Sequence, residues 1–175
     1  MYRFSTFILL LFLLTGCTEE EETIEKEQEV IRTVYEKNSK PLEVSIVGNG
    51  NQGILVNVDR YCWNEDISVC EAKEPRNPKE AVSEINLKKL AVAFGEKVMV
   101  YYSADPSLPK ADDFELVQYV DDEIIPTEIT YDNNGNFSFI APSIQGPHYY
   151  LLKAIVDNEF KGISYYPFAI LVQPE

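Results

Sequence analysis

The sequence predicts an all-β protein, an antiparallel β-sandwich of about seven to nine strands, on three observations. Apolar and polar residues alternate from Pro41 onward, β-rich segments recur about every ten residues, and turn-forming residues separate them. No amphipathic helical pattern stands out between the segments.

Leu42, Val44 and Ile46 make the first alternating run, and Ile54, Val56 and Val58 the second, followed by Tyr61-Cys62-Trp63. Between the two runs, Gly48-Asn49-Gly50-Asn51-Gln52-Gly53 matches G-x-G-x-x-G letter for letter. A dinucleotide site needs a helix after that motif, whereas a strand follows here, so the glycines are expected to serve a hairpin turn. A short strand is expected over 68–73, and Arg76-Asn77-Pro78 reads as a break. Leu87, Leu90, Val92 and Phe94 lead to a Gly95-Glu96-Lys97 turn, and Val98, Val100 and Tyr102 form the next strand. It ends before Asp105-Pro106 and Pro109. Strands are then expected over 114–120, 124–131 and 137–140, and two long ones over 149–156 and 163–172.

Asp132-Asn133-Asn134-Gly135-Asn136 joins two of these strands. Counted from Asp132, the EF-hand places for glycine and glutamate hold Phe137 and Ser143, so the segment is read as an Asn-Gly hairpin. Asp121-Asp122-Glu123 is read as a solvated turn. No metal or other cofactor is expected.

Three tyrosine pairs fall within predicted strands: Tyr101-Tyr102, Tyr149-Tyr150 and Tyr165-Tyr166. Neighbours on a strand point to opposite faces, so the core takes one of each pair. The more apolar registers, Val98/Val100/Tyr102, Tyr150/Leu152/Ala154/Val156 and Tyr166/Phe168/Ile170/Val172, are expected to face inward. Tyr101, Tyr149 and Tyr165, with Met99 and Leu151, then turn outward. Grouped on one sheet, those three tyrosines would make an exposed band suited to a sugar ring or a protein partner.

Charge narrows the partners. The chain carries 29 acidic and 15 basic residues, formally −14. Nucleic-acid binding needs clustered Lys and Arg, which are absent, so nucleic acid is excluded as an expected partner.

Residues 1–16 read as a targeting segment. Arg3 gives the positive start, and the apolar run over 4–14 is broken only by Ser5 and Thr6. Eleven residues at helical rise reach about 16 Å, roughly half a hydrocarbon core. The run ends in Leu14-Thr15-Gly16-Cys17, which resembles the lipobox of bacterial lipoproteins. That resemblance implies a diacylglyceryl group on the Cys17 sulfur, cleavage after Gly16 and further acylation, palmitate being the usual chain. More than one acyl chain anchors stably, so the lipid bilayer is the expected partner through Cys17, on the extracytoplasmic face of the cell membrane. Residues 17–40 form an acidic stalk opening with Glu19-Glu20-Glu21-Glu22. Ile24, Ile31, Val34 and Tyr35 sit at loosely helical spacing, so a partly helical spacer over 23–37 is expected. The β-sandwich domain spans 41–175.

With Cys17 acylated, Cys62 and Cys70 remain. Export to an oxidising compartment and their short spacing favour a disulfide, worth about 2.5 kcal/mol on the chain-entropy model. A zinc site lacks ligands, since His148 is the only histidine.

One further likeness concerns the domain. Tyr61-Cys62-Trp63 … Cys70, the Gly95-Glu96-Lys97 turn, Tyr102-Ser103 … Pro106, Gly146-Pro147-His148-Tyr149-Tyr150 and Gly162-Ile163-Ser164-Tyr165-Tyr166-Pro167-Phe168-Ala169 resemble small uncharacterised lipoproteins of Gram-positive, Bacillus-type bacteria. The resemblance covers roughly 42–173 and implies an immunoglobulin-like β-sandwich, with no activity attached. Cys62 and Cys70 are too close for the inter-sheet bridge of true immunoglobulin domains.

Catalysis finds little footing. His148 lies between Pro147 and Tyr149 without a G-x-S-x-G motif, and no carboxylate pair is singled out. The expectation is a non-catalytic binding or accessory module, with an envelope protein or glycan as ligand. A proteinase inhibitor presenting the 62–70 loop with Trp63, and an envelope hydrolase using His148, are the two alternatives.

Overall fold

Period-two alternation becomes strand after strand in the computed structural model, which describes residues 41–49, 52–63, 75–84, 87–103, 111–121, 123–157 and 161–174. Among these, eleven strands and one short helix follow in the order β1 (Val44–Val47), β2 (Gly53–Val56), β3 (Arg60–Trp63), α1 (Pro78–Glu84), β4 (Leu90–Ala93), β5 (Lys97–Tyr102), β6 (Asp113–Val120), β7 (Glu123–Pro126), β8 (Thr130–Tyr131), β9 (Phe137–Ile140), β10 (Gly146–Asp157) and β11 (Lys161–Gln173). The expected all-β class is therefore observed. Lys40–Glu175 groups as one unit.

Two sheets form. The first runs β2-β1-β5-β9-β8, and the second runs β3-β11-β10-β6-β7. Pairing is antiparallel except that β4 lies parallel to β11, with Ile170 opposite Leu90 and Val172 opposite Val92. The inward registers of both sheets meet in one core. Val44, Ile46, Val98, Val100, Phe137 and Phe139 come from the first sheet, and Leu116, Tyr150, Leu152, Tyr166, Phe168 and Ile170 from the second. Phe139, Tyr150 and Phe168 form its aromatic centre, with Tyr150 stacked on Phe168 at 5.2 Å between ring centroids. At one end of the core, the Tyr166 hydroxyl donates to the Leu42 carbonyl at 2.8 Å, tying the last strand to the segment that enters the first.

Strand β11 changes partner midway, from β3 at Gly162–Tyr165 to β4 at Ile170–Gln173. Asp59 N–H donates to Tyr165 O at 2.9 Å, so the odd-numbered peptide groups of β11 face away from β10. Pro167, which has no N–H, falls in the gap between the two partners and costs no ladder bond.

Three expectations need correcting. Arg76-Asn77-Pro78 is not merely a break but the start of α1. The Asn77 side chain accepts from Lys79 N–H at 2.9 Å, and Pro78 occupies the first helical turn. The expected 124–131 strand is two strands in different sheets. Pro126 ends β7, Thr127 N–H closes on Leu116 O, and the chain then crosses to β8. The tyrosine band is the third, taken up below. Both hairpins stand as expected: β1 and β2 pair across the glycine segment, and Asp132 N–H bonds Asn136 O at 2.8 Å with Gly135 at φ 86°. The expected 68–73 strand, the 23–37 helix, and the 1–16 and 17–40 segments lie outside the described residues.

Candidate functional site

The structure separates the three tyrosines expected to form one band. Tyr101 stands on β5 in the first sheet, whereas Tyr149 and Tyr165 stand on β10 and β11 in the second. All three point away from the core as the alternation requires, yet only Tyr101 is exposed, and Tyr165 is 7% exposed. The outer face of the second sheet is partly covered. Helix α1 lies against β11 and β10 with Pro78, Ala81 and Val82 buried, and Leu151, Ile163 and Tyr165 form a second small apolar cluster there with Cys62, Val117 and Tyr119. Tyr149 is half-buried, with Lys89 Nζ 5.6 Å from its ring centroid. The three do not share a surface.

A concave site lies beside that cluster instead. Asp59, Arg60, Tyr61, Cys62 and Tyr165 line a cavity of about 420 Å³. β3 pairs with β11 so that Arg60 is opposite Tyr165 and Cys62 opposite Ile163, which places both β3 side chains on the outer face. Tyr61 is 51% exposed.

Asp59, which lines the site, is held in an ion pair. The Asp59 side chain is 3% exposed and accepts from Arg76 Nε at 2.9 and 3.1 Å and again from Arg76 Nη2. Arg76 also binds Glu84 on α1, and Arg60 Nε stands 3.8 Å from Asp59. Hydrogen bonding to Asp59 raises the Arg76 pKa still further above its ordinary value. The pair thus fixes the residues before β3 to the entrance of α1.

Next to the site, the Trp63 ring lies over Gly162, its register partner. The Trp63 indole N–H is buried without a hydrogen-bond partner. Cys62 is not a free thiol. Its expected partner Cys70 lies outside the described residues, as do Cys17 and most of the 62–70 inhibitor loop.

His148, the candidate hydrolase residue, is bound at both ring nitrogens. Its Nε2 is 2.8 Å from Ile144 O, and its Nδ1 is 3.0 Å from Gln118 Nε2. A carbonyl only accepts, so Nε2 carries the proton and Nδ1 accepts from the Gln118 amide. Tyr150 OH approaches Gln118 Oε1 at 3.5 Å, consistent with that amide orientation. The arrangement joins β6 to β10 and leaves neither nitrogen free to take a proton from a nucleophile.

The Asp132 carboxylate accepts from Asn134 N–H at 2.8 Å and from the Asn136 amide at 3.3 Å, which is hairpin chemistry. Among the described residues no group of three His, Cys, Asp or Glu side chains is placed to hold a metal ion, and no helix is long and apolar enough to cross a membrane.

The sequence alone does not single out Arg60 or Tyr61 as site residues; Tyr61 enters there as part of the Tyr61-Cys62-Trp63 segment. Their position next to Cys62 was the one available signal. No protein-family model matches the chain, and neither a curated protein nor a solved structure matches it.

Proposed function

We propose that this chain is an exported lipoprotein, anchored through acylated Cys17 on the outer face of the cell membrane, whose domain is a non-catalytic binding or accessory module. The anchoring reading rests on the basic start, the apolar run over 4–14 and Leu14-Thr15-Gly16-Cys17. The engaged state of Cys62 supports a Cys62–Cys70 disulfide in an oxidising compartment.

The domain is immunoglobulin-like on this reading. Strand order supports it: β5, β9 and β8 stand as B, E and D, and β6, β10 and β11 as C, F and G. β1 and β2 then take the place beside β5 that strand A holds, while β4 runs parallel along β11.

The observation that carries the binding reading is the concave site on β3 and β11, lined by Asp59, Arg60, Tyr61, Cys62 and Tyr165, with Tyr61 half exposed at its edge. Tyrosine supplies apolar area with a polar tip at low entropic cost, which suits a sugar ring or a peptide segment of an envelope partner. The test is capture of defined envelope glycan fragments and envelope proteins by the full chain. Wild type is expected to retain one class that Tyr61→Ala binds at least tenfold more weakly, with thermal stability unchanged. Equal retention by both contradicts the site.

A further inference from the structure

We propose that Asn134 is a site of spontaneous deamidation and isoaspartate formation, with water as the co-reactant. The Asn134-Gly135 pair sits at the tip of the β8–β9 hairpin, and Asn134 is exposed. Its backbone N–H is held by the Asp132 carboxylate at 2.8 Å, while its side-chain amide takes no hydrogen bond among the described residues. Gly135 has no side chain to shield its nitrogen, and that N–H makes only a long bond, to Asp132 O at 3.2 Å. Other asparagines differ. Asn77 precedes Pro78, which has no N–H to react, and Asn57 precedes the branched Val58. The Asn136 amide is held by Asp132, ahead of the buried Phe137. Asn49-Gly50 repeats the dipeptide, but Gly50 lies outside the described residues.

The Gly135 nitrogen loses its proton to hydroxide, and its electron pair forms a bond to Asn134 Cγ. The side-chain nitrogen leaves with the pair of the broken C–N bond, takes up a proton and departs as ammonia. Water then adds to one carbonyl of the cyclic imide, and the ring C–N bond at that carbonyl opens. Opening at the Cγ side leaves aspartate. Opening at the main-chain carbonyl leaves isoaspartate, through which the backbone runs one carbon longer. Amide and water become carboxylic acid and ammonia, and nothing is oxidised or reduced. The longer backbone does not fit the turn. Asp132 N–H reaches Asn136 O at 2.8 Å across it, and β8 beyond it has only Thr130 and Tyr131 paired with β9. Tyr131 packs its ring on Phe137 of the core, so a broken turn loosens that edge of the first sheet.

Ageing the folded full chain at mildly alkaline pH in oxygen-18 water, followed by peptide mass spectrometry, tests this. The Asn134 peptide is expected to take up heavy oxygen, to resolve into aspartate and isoaspartate forms, and to react about tenfold faster than the peptides holding Asn57 and Asn136. Asn134→Gln, whose longer side chain closes the ring far more slowly, abolishes the change there and keeps the circular dichroism of wild type. Aged wild type then melts below equally aged Asn134→Gln. An unchanged Asn134 peptide in the folded chain overturns the proposal, as does reaction only after unfolding in urea. Aspartate without isoaspartate, which marks direct hydrolysis of the side chain, also overturns it. Equal melting of the two aged proteins contradicts the loosened edge.

Discussion

Arg76 holds the buried carboxylate of Asp59 across seventeen residues of chain, and through Glu84 it holds α1 as well. One guanidinium therefore links the strand that shapes the concave site to the helix that covers its sheet.

Removing either partner has unequal consequences. Arg76→Ala leaves a carboxylate that is 3% exposed with only the longer contact to Arg60 at 3.8 Å, whereas Asp59→Asn leaves Arg76 its contact with Glu84 and with solvent. Arg76→Ala is expected to lower the thermal midpoint by several degrees, and Asp59→Asn by less. Melting curves by circular dichroism check the order, and a larger loss for Asp59→Asn would contradict it.

Gly162 has no room for a methyl group. An added Cβ meets the Trp63 ring and comes within 2.7 Å of Cys62 O. Gly162→Ala is expected to destabilise by about 1–3 kcal/mol. The loss shrinks in a Trp63→Ala background, because the clash is shared. Denaturant titration followed by circular dichroism measures both, and in the single variant Trp63, the only tryptophan, also reports the local change by fluorescence.

Burial raises the phenol pKa values of Tyr150 and Tyr166 well above 10. In the unfolded chain both ionise near pH 10, so the unfolded state loses protons that the native state keeps. Stability from these groups is whole below about pH 10 and falls as pH rises further, by at most about 2.7 kcal/mol per pH unit for the two together. Ultraviolet titration is expected to show their ionisation only on unfolding. Tyr150→Phe with Tyr166→Phe flattens the alkaline slope, and Tyr166→Phe alone costs about 1 kcal/mol at neutral pH through the lost bond to Leu42 O.

His148 is expected to donate from Nε2 to Ile144 O and to accept at Nδ1 from the Gln118 amide. Nitrogen NMR at neutral pH distinguishes this directly. A protonated Nδ1 would mean that the Gln118 amide is turned the other way.

The inward registers of β5, β10 and β11 were legible because a period of two is a local property of the chain. Tyr102, Tyr150 and Tyr166 face the core as that period requires. Sheet membership is not local. Tyr101 and Tyr149 share an outward orientation, and only long-range pairing puts them on different sheets. Tyr165 is hidden because β11 is covered on both faces, and the unbroken apolar run from Tyr165 to Val172 was the available sign. Helix α1 is too short to show periodicity; Asn77-Pro78 was its signature, and a cap followed by proline reads equally as a turn. The concave site depends on β3 meeting β11 about a hundred residues later, which no spacing in the chain announces.

Intact-mass and peptide mass spectrometry of protein from its native host tests the central claim most directly. The account predicts a mature chain beginning at Cys17, with that residue bearing a diacylglyceryl mass. A chain still starting at Met1, with Cys17 unmodified, would contradict it.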